Sequence, residues 1–156
     1  MSPTLAGVTR AFAAAAVVVA LDQATKQIAV SSLSRGESVN VFFGLDFTNT
    51  RNRGVAFGAL AGGGLVIAIL IGLALALVLG YFAMNADRAW LWLPVGLLLG
   101  GAAGNLVDRA REGAVTDFID PIAWPAFNLA DVSIVVGVLG LLYLLESGRD
   151  DRAESD

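Results

Sequence analysis

Long apolar runs, interrupted by only a few polar residues, restrict what this chain can fold into. A helix that crosses a bilayer needs about 20 predominantly apolar residues, because each residue advances it by about 1.5 Å. Four segments meet that requirement, at 11–30, 65–84, 90–107 and 126–145. The composition agrees, since 56% of the residues are hydrophobic and 15% are charged, whereas soluble domains are about 25% charged. We therefore predict a mainly α-helical membrane protein, a bundle of four transmembrane helices.

The segment between the first two spans has a different character. Val39, Val41 and Phe43 stand at alternate positions, and a period of two is typical of strands. The pattern predicts a small β-sheet over about 36–60, on the membrane surface. The polar residues at 49–52 indicate a turn within it.

Four spans place both termini on one side of the membrane. We predict a single membrane-embedded domain over 1–147 and an acidic, disordered tail at 148–156. One of the two possible orientations has cytoplasmic termini. The positive-inside rule does not support this orientation by simple counting. The basic residues of the opposite side are Lys26, Arg35, Arg51, Arg53, Arg109 and Arg111, and those of the terminal side are Arg10, Arg88, Arg149 and Arg152. If some basic residues of the opposite side belong to a functional site, the charge count says less about orientation.

Two local patterns concern the helices themselves. Arg10 followed by an Ala/Val run resembles a secretory signal, but no convincing cleavage site follows it, which favours an uncleaved first span. The spacing of Gly96, Gly100 and Gly104 is typical of helices that approach each other closely in lipid.

The chain contains neither cysteine nor histidine. Disulfides, thiolate nucleophiles, zinc–thiolate sites and imidazole bases are therefore excluded. Proton transfer would fall to Asp or Glu, to the single lysine, Lys26, or to Tyr. We expect no metal and no cofactor, and the lack of a basic cluster argues against nucleic acid as a partner.

Two polar strings bring carboxylates to one face of the membrane. Asn105 and Asp108 are three residues apart at the end of the third span, and Asn128 and Asp131 are three apart at the start of the fourth. Residues at this spacing share a helix face. Asp117, in the connection between these spans, can join them. A carboxylate inside a membrane costs roughly 2.5 to 3.5 kcal/mol at the bilayer centre, which indicates a function.

Two carboxylates a few ångströms apart cannot both ionise readily. One keeps its proton, so that an acid and a base share one pocket and are able to activate water and protonate a leaving amine. Asp117 and Asp131 lie within apolar strings and are the strongest candidates. Asp22 and Lys26 are spaced for an ion pair, and an alternative role for Asp108 is an ion pair with a nearby arginine.

The chain resembles the bacterial signal peptidase II family, the lipoprotein signal peptidases, which are intramembrane aspartyl proteases. Five motifs carry this resemblance, in the order that the family has. They are Asp22-Gln23-Ala24-Thr25-Lys26, Asn52-Arg53-Gly54-Val55-Ala56-Phe57, Gly104-Asn105-Leu106-Val107-Asp108-Arg109, Val115-Thr116-Asp117-Phe118 and Phe127-Asn128-Leu129-Ala130-Asp131.

The resemblance implies a catalytic pair, Asp117 and Asp131. It implies residues that line or support the site: Asp22, Lys26, Asn52, Gly54, Gly104, Asn105, Asp108, Arg109, Asn128 and Ala130. It further implies a prolipoprotein substrate that carries a diacylglyceryl-cysteine and is cut on the amino side of that cysteine. The enzyme would act, as a monomer in contact with membrane lipid, at the outer face of the bacterial cytoplasmic (inner) membrane. Both termini would then be cytoplasmic, and the small sheet extracytoplasmic. The connection between the two aspartates, 118–130, has only 13 residues, which argues against a lid-like function.

Three other functions are compatible with parts of the pattern. A proton-coupled transporter would use membrane acids as a relay, although no internal repeat accompanies them. A Ser–Lys protease would combine Lys26 with Ser31 or Ser32. A structural protein would use the acids only as ion pairs.

Overall fold

The structure, a computed structural model, describes residues 1–53 and 64–153. These residues form long helices and a small antiparallel sheet. In chain order the elements are α1 (Pro3–Ser32), β1 (Ser38–Phe42), β2 (Leu45–Asn52), α2 (Gly64–Asn85), α3 (Trp92–Glu112), β3 (Val115–Pro121) and α4 (Leu129–Ala153). The mainly helical class and the presence of a small sheet, both predicted from the sequence, are confirmed.

Two of the described helices are long and apolar enough to cross a membrane, Pro3–Ser32 and Leu129–Ser147. Ile69–Asn85 is a shorter apolar helix. In the most apolar 18-residue stretch of Pro3–Ser32, and in that of Leu129–Ser147, only 17% of the residues are buried inside the protein. Most of their side chains therefore face outward, which is the arrangement of helices that contact lipid.

Glycines allow α3 to lie directly against α1. A Cβ atom on Gly100 would lie 2.6 Å from Cβ of Val18, and one on Gly96 would lie 2.7 Å from the backbone oxygen of Ala11. Such distances leave room for hydrogen only, so the predicted small-residue contact is present at both glycines. The apolar core at this end of the bundle consists of Ala11, Phe82, Ala86, Leu91 and Val95.

The sheet has the order β1–β2–β3, and both pairings are antiparallel. Phe42 pairs with Leu45 around a two-residue turn. The prediction of a sheet confined to the segment between the first two spans is incomplete, because the third strand comes from the connection between α3 and α4. The predicted turn at 49–52 is wrong: Thr50 pairs with Asp117 within a continuous β2. Residues 50–52 are extended because they pair with β3, which is distant in the sequence.

Part of the predicted C-terminal tail is continuous with helix α4. Helix α4 continues to Ala153, so residues 148–153 are helical and only 154–156 lie outside the described residues. The remainder of the predicted β segment, from Gly54 to residue 60, also lies outside the described residues.

The close contact at Gly100 makes a testable prediction. We expect Gly100→Ala to lower the free energy of unfolding by about 1–3 kcal/mol, because the added methyl overpacks the contact with Val18. Gly80→Ala is the matched control, since nothing lies within 4 Å of a Cβ atom there and alanine favours helices. Thermal unfolding in detergent measures both. Equal midpoints for the two variants would contradict the packing described.

Candidate active site

A lysine lies between two aspartates inside the protein, where α1 and α3 meet. The Nζ atom of Lys26 lies 2.8 Å from Oδ2 of Asp22 and 3.0 Å from Oδ2 of Asp108. Asp22 is fully buried, and the other two side chains are nearly so. Charges taken out of water cost several kcal/mol each unless they are paired and hydrogen-bonded. Asp22, Lys26 and Asp108 are called the ion cluster below.

Hydrogen bonds from neighbouring elements complete the ion cluster. Gln23 Nε2 donates to Oδ1 of Asp108 at 2.8 Å. The backbone N–H of Thr116 on β3 donates to Oδ2 of Asp108 at 3.1 Å, and that of Ala130 on α4 donates to Oδ1 of Asp22 at 3.0 Å. The ion cluster therefore joins α1, α3, β3 and α4 at one end of the bundle.

Gly104 provides the space for the carboxylate of Asp22. A Cβ atom at position 104 would lie 2.6 Å from Oδ2 of Asp22 and 3.5 Å from Cβ of Ala130. Any side chain at this position would push the carboxylate away from Lys26. The glycine is thus required by the ion cluster.

The ion cluster also orients the amide of Asn105. Lys26 Nζ donates to Oδ1 of Asn105 at 3.0 Å, and an ammonium group is only a donor. The amide NH₂ must therefore point the other way, where Nδ2 donates to Oδ1 of Asp131 at 2.8 Å. A buried positive charge thus determines which group Asn105 presents to Asp131.

Asn128 links Asp131 to Asp117. The side chain of Asn128 is fully buried, and its Nδ2 donates to Oδ1 of Asp117 at 2.7 Å. Its Oδ1 accepts the backbone N–H of Asp131 at 3.0 Å, and its own backbone N–H donates to Oδ2 of Asp131 at 3.3 Å. These reciprocal bonds cap the start of α4 in the manner of a capping box. One asparagine therefore holds both carboxylates.

Asp117 reaches this position because α3 ends at Gly113, whose φ of 68° is left-handed and favours glycine. The chain then turns back as β3. Asp117 is 1% exposed, and Asn52 Nδ2 on β2 donates to its Oδ2 at 2.9 Å. Burial raises the pKa of Asp117 to about 6, helped by the negative charge of Asp131 and opposed by the hydrogen bonds from Asn52 and Asn128.

Asp131 has a different environment from Asp117. It is only partly buried, and it lies in the first turn of α4, where the helix dipole stabilises a negative charge. Two neighbouring carboxyl groups in unlike surroundings are suited to hold one proton between them. Such a pair is able to deprotonate a water with one member and donate a proton with the other.

The family comparison agrees with this chemistry. The sequence model of the family described as signal peptidase (SPase) II matches residues 14–146. The chain belongs to the signal peptidase II family. A lipoprotein signal peptidase of Moorella thermoacetica is 40% identical over 144 residues, which are 88% of this chain and 95% of the relative. That of Halothermothrix orenii is 36% identical over 135 residues, which are 85% and 93%.

Solved structures of bacterial membrane enzymes share the fold. One, obtained by the in meso method at 1.9 Å resolution, has a TM-score of 0.74 and 33% identity, and the match covers 86% of this chain and 91% of that one. A second, at 2.3 Å resolution, has a TM-score of 0.76 and 32% identity, with 90% of each chain covered. This member of the signal peptidase II family is therefore a membrane enzyme, as the composition predicted.

The structure brings most of the residues of the signal peptidase II motifs to one place. Those in contact with the two carboxylates or with the ion cluster are Asp22, Lys26, Asn52, Gly104, Asn105, Asp108, Asn128 and Ala130. Arg109 is exposed, and its Nη1 donates to the backbone oxygen of Asn105 at 3.3 Å. Gly54 lies outside the described residues. The alternative pairing of Asp108 with an arginine is not what the described contacts show, because its cationic partner is Lys26.

Two contributors to the site escaped the sequence analysis. Gln23 bridges Asp108 to α1, and Thr116 gives its backbone N–H to Asp108 and its backbone oxygen to Asn128. Gln23 lies within a motif that the sequence showed, one residue after Asp22, and polarity inside an apolar span was the available signal. The role of Thr116 rests on its backbone, which no side-chain pattern reveals.

The ion cluster makes a second prediction. We expect Lys26→Met to lower the free energy of unfolding by about 3–5 kcal/mol, because it leaves two buried carboxylates without their cation. Thermal unfolding in detergent measures the change, with Arg35→Met, at an exposed position, as the control. The double variant with Asp22→Asn should recover part of the loss, since one buried charge is removed. A Lys26→Met protein as stable as the control would contradict the role of the ion cluster.

Proposed function

We propose that this chain is the endopeptidase that removes the signal peptide from diacylglyceryl-modified prolipoproteins, with Asp117 and Asp131 as its catalytic pair. The observation that carries the proposal is the position of Asn128, which hydrogen-bonds both carboxylates at the start of α4. Membership of the signal peptidase II family and the names of the curated relatives supply the class of reaction and of substrate.

The unlike surroundings of the two carboxyl groups suggest their roles. Asp117 is buried, and its pKa is about 6, so it is the proton donor of the pair. Asp131 is open to water on one side and takes a proton from the attacking water. The oxygen of that water bonds to the scissile carbonyl carbon, while Asp117 gives its proton to the carbonyl oxygen. The result is a tetrahedral diol, formed without metal or covalent enzyme intermediate.

Collapse of the diol reverses the proton positions. Asp131 passes its proton to the leaving amine, the C–N bond breaks, and Asp117 takes a proton back from the diol oxygen. The pair is then ready for another turnover. Asn105 and Asn128 hold the carboxylates throughout, because Lys26 and the start of α4 fix the two amides.

We further propose that α1, α2, α3 and α4 each cross the cytoplasmic membrane and that the pair lies near its outer face, with both termini in the cytoplasm. The contacts of two basic residues weaken the charge count that opposes this orientation. Lys26 is neutralised by the ion cluster, and Arg51 pairs with Glu112. Without these two residues each side keeps four basic residues, so the positive-inside rule opposes neither orientation.

The substrate proposal follows from the same location. A peptide whose cysteine carries diacylglycerol stays in lipid, so the cleaved bond lies at the membrane surface, on the amino side of that cysteine. The described residues of one chain include both carboxylates and the amides that hold them, which supports a monomer as the active unit. Membrane lipid is the other partner.

The Ser–Lys alternative has little geometric support. The Nζ atom of Lys26 is occupied by two carboxylates and one amide. The hydroxyl of Ser31 donates to the backbone oxygen of Ile28 at 3.0 Å on the exposed side of α1. A lysine that acts as a general base needs a free amine next to its serine.

Replacement of either aspartate tests the proposed function. We expect Asp117→Asn and Asp131→Asn each to lower the cleavage rate by roughly 10²–10⁴-fold or more, because general acid–base catalysis is lost. The assay is cleavage of a diacylglyceryl-modified prolipoprotein peptide in detergent. Asp120→Asn, on the same strand as Asp117, is the matched control and should leave the rate unchanged.

Two results would contradict this proposal. Cleavage that survives in both asparagine variants would mean a protease with other catalytic residues. No cleavage by the folded wild-type protein would favour the transporter hypothesis. Unfolding midpoints close to that of wild type are the condition for comparing the variants.

The pKa of Asp117 gives a further prediction. The pair works while it holds one proton, so kcat/KM should fall as the pH rises through about 6, an apparent value that belongs to the pair. Asn52→Ala removes a hydrogen bond that lowers the pKa of Asp117, so the alkaline limb should move to higher pH. Asn40→Ala, which removes an amide bound to Asp46 instead, should leave the limb in place. A limb that moves to lower pH in Asn52→Ala would contradict the assignment.

A further inference from the structure

The end of the sheet farthest from Asp117 carries apolar side chains that the proposed reaction does not use. Phe43 is 92% exposed, Ile122 91%, Trp124 70% and Phe42 66%. They come from two segments, the turn between β1 and β2 and the loop that follows β3. These four side chains are called the sheet tip.

Backbone contacts hold the two segments of the sheet tip together. The N–H of Ile122 donates to the backbone oxygen of Gly44 at 2.8 Å, and the N–H of Trp124 donates to that of Pro121 at 3.1 Å. The rings of Phe42 and Phe43 make an edge contact, with centroids 4.9 Å apart. The sheet tip is therefore one preformed apolar surface.

The turn of the hairpin places an aromatic ring at an unfavourable backbone position. Phe43 has a φ of 27° and Gly44 a φ of 78°, and two-residue hairpin turns with both values positive favour Asn-Gly or Asp-Gly. A large side chain is disfavoured in this region, and in water an exposed ring brings no compensating gain. The sequence of this turn therefore fits an apolar surrounding better than an aqueous one.

Charge also restricts what the sheet tip contacts. Residues 39–46 and 118–127 contain no lysine or arginine, so attraction to an anionic surface is absent. Behind the tip, Asn40, Asp46 and Asp120 form one cross-strand row, and Val39, Phe47 and Ile119 form the next. Trp and Phe side chains are typical of the layer between lipid headgroups and acyl chains, and without basic neighbours their contact with that layer is apolar. The apolar side chains of α1 and α4 also face outward, so a bilayer around these helices would lie beside the sheet tip.

We propose that the sheet tip inserts into the interfacial layer of the bilayer on the side of the catalytic pair and thereby fixes the depth of β3. Ile122 follows Asp117 by five residues, which is about 17 Å of extended strand. An anchor at the tip thus restrains the strand that carries Asp117. The occupant of this surface is lipid, and its contact is apolar and insensitive to salt.

Fluorescence of Trp124 tests the insertion in the full chain. The protein is reconstituted in phosphatidylcholine vesicles whose acyl chains carry bromine near the headgroup or near the chain end. The chain has three tryptophans, and subtraction of the Trp124→Phe variant isolates the emission of Trp124. We expect quenching by the shallow bromine to exceed both quenching by the deep bromine and quenching by aqueous iodide.

Two other patterns would overturn the proposal. Quenching by iodide alone would mean a sheet tip in water, and protection from all three quenchers would mean a protein partner or a buried contact. A second pair of variants tests whether the tip acts as one surface. Phe43→Ser with Ile122→Ser should lower the bromine quenching about twofold or more, whereas Asn40→Ser should not; equal quenching in both would contradict the insertion. No substrate is needed, so these results are independent of the proposed cleavage.

Discussion

The ammonium group of Lys26 is the interaction on which the rest of the site depends. It lies between Asp22 and Asp108 and donates at the same time to Asn105. Each of these contacts has a structural consequence. Asp22 accepts the backbone N–H of Ala130 and so fixes the start of α4, whereas Asp108 accepts that of Thr116 and fixes β3. The two elements that carry the proposed catalytic aspartates are thus docked onto one buried cation. Such a cluster is costly to desolvate, and its role here is to specify position.

The ammonium group also fixes the orientation of the amide side chain next to it, and hydrogen bonds fix that of a second amide. An ammonium group donates and never accepts, so the oxygen of Asn105 faces Lys26 and its NH₂ faces Asp131. Asn128 is fixed at the other side, because its oxygen caps the start of α4 and its NH₂ faces Asp117. Both carboxylates therefore receive hydrogen bonds from amide groups, and they differ in burial, since Asp117 is buried and Asp131 is only partly so. The proposed function uses this difference to obtain an acid and a base from two aspartates in a chain without histidine or cysteine.

Much of this arrangement follows from the sequence, and the exceptions have physical reasons. The spacing of Asn105 with Asp108 and of Asn128 with Asp131 predicted shared helix faces, and apolar run lengths predicted the helical class. The position of Asp117 on a strand was not predicted, because β3 exists only through its pairing with β2, more than 60 residues earlier. The role of Asn49 to Asn52 was misread for the same reason. Local polarity indicates a turn, whereas a distant strand supplies the hydrogen bonds that make the segment extended. Hydrogen bonds from backbone groups, such as those of Thr116, do not depend on the type of residue, so the sequence does not reveal them.

The shared proton of the catalytic pair is the central claim, and infrared difference spectroscopy of the detergent-solubilised protein tests it most directly. Spectra recorded below and above pH 6 should show a protonated carboxyl band that is lost as Asp117 ionises near a pKa of about 6. The band should be absent from Asp117→Asn at both values. In Asp131→Asn it should disappear at lower pH, because the charge that disfavours ionisation of Asp117 is gone. A wild-type spectrum without this band, or one that Asp117→Asn leaves unchanged, would contradict the account.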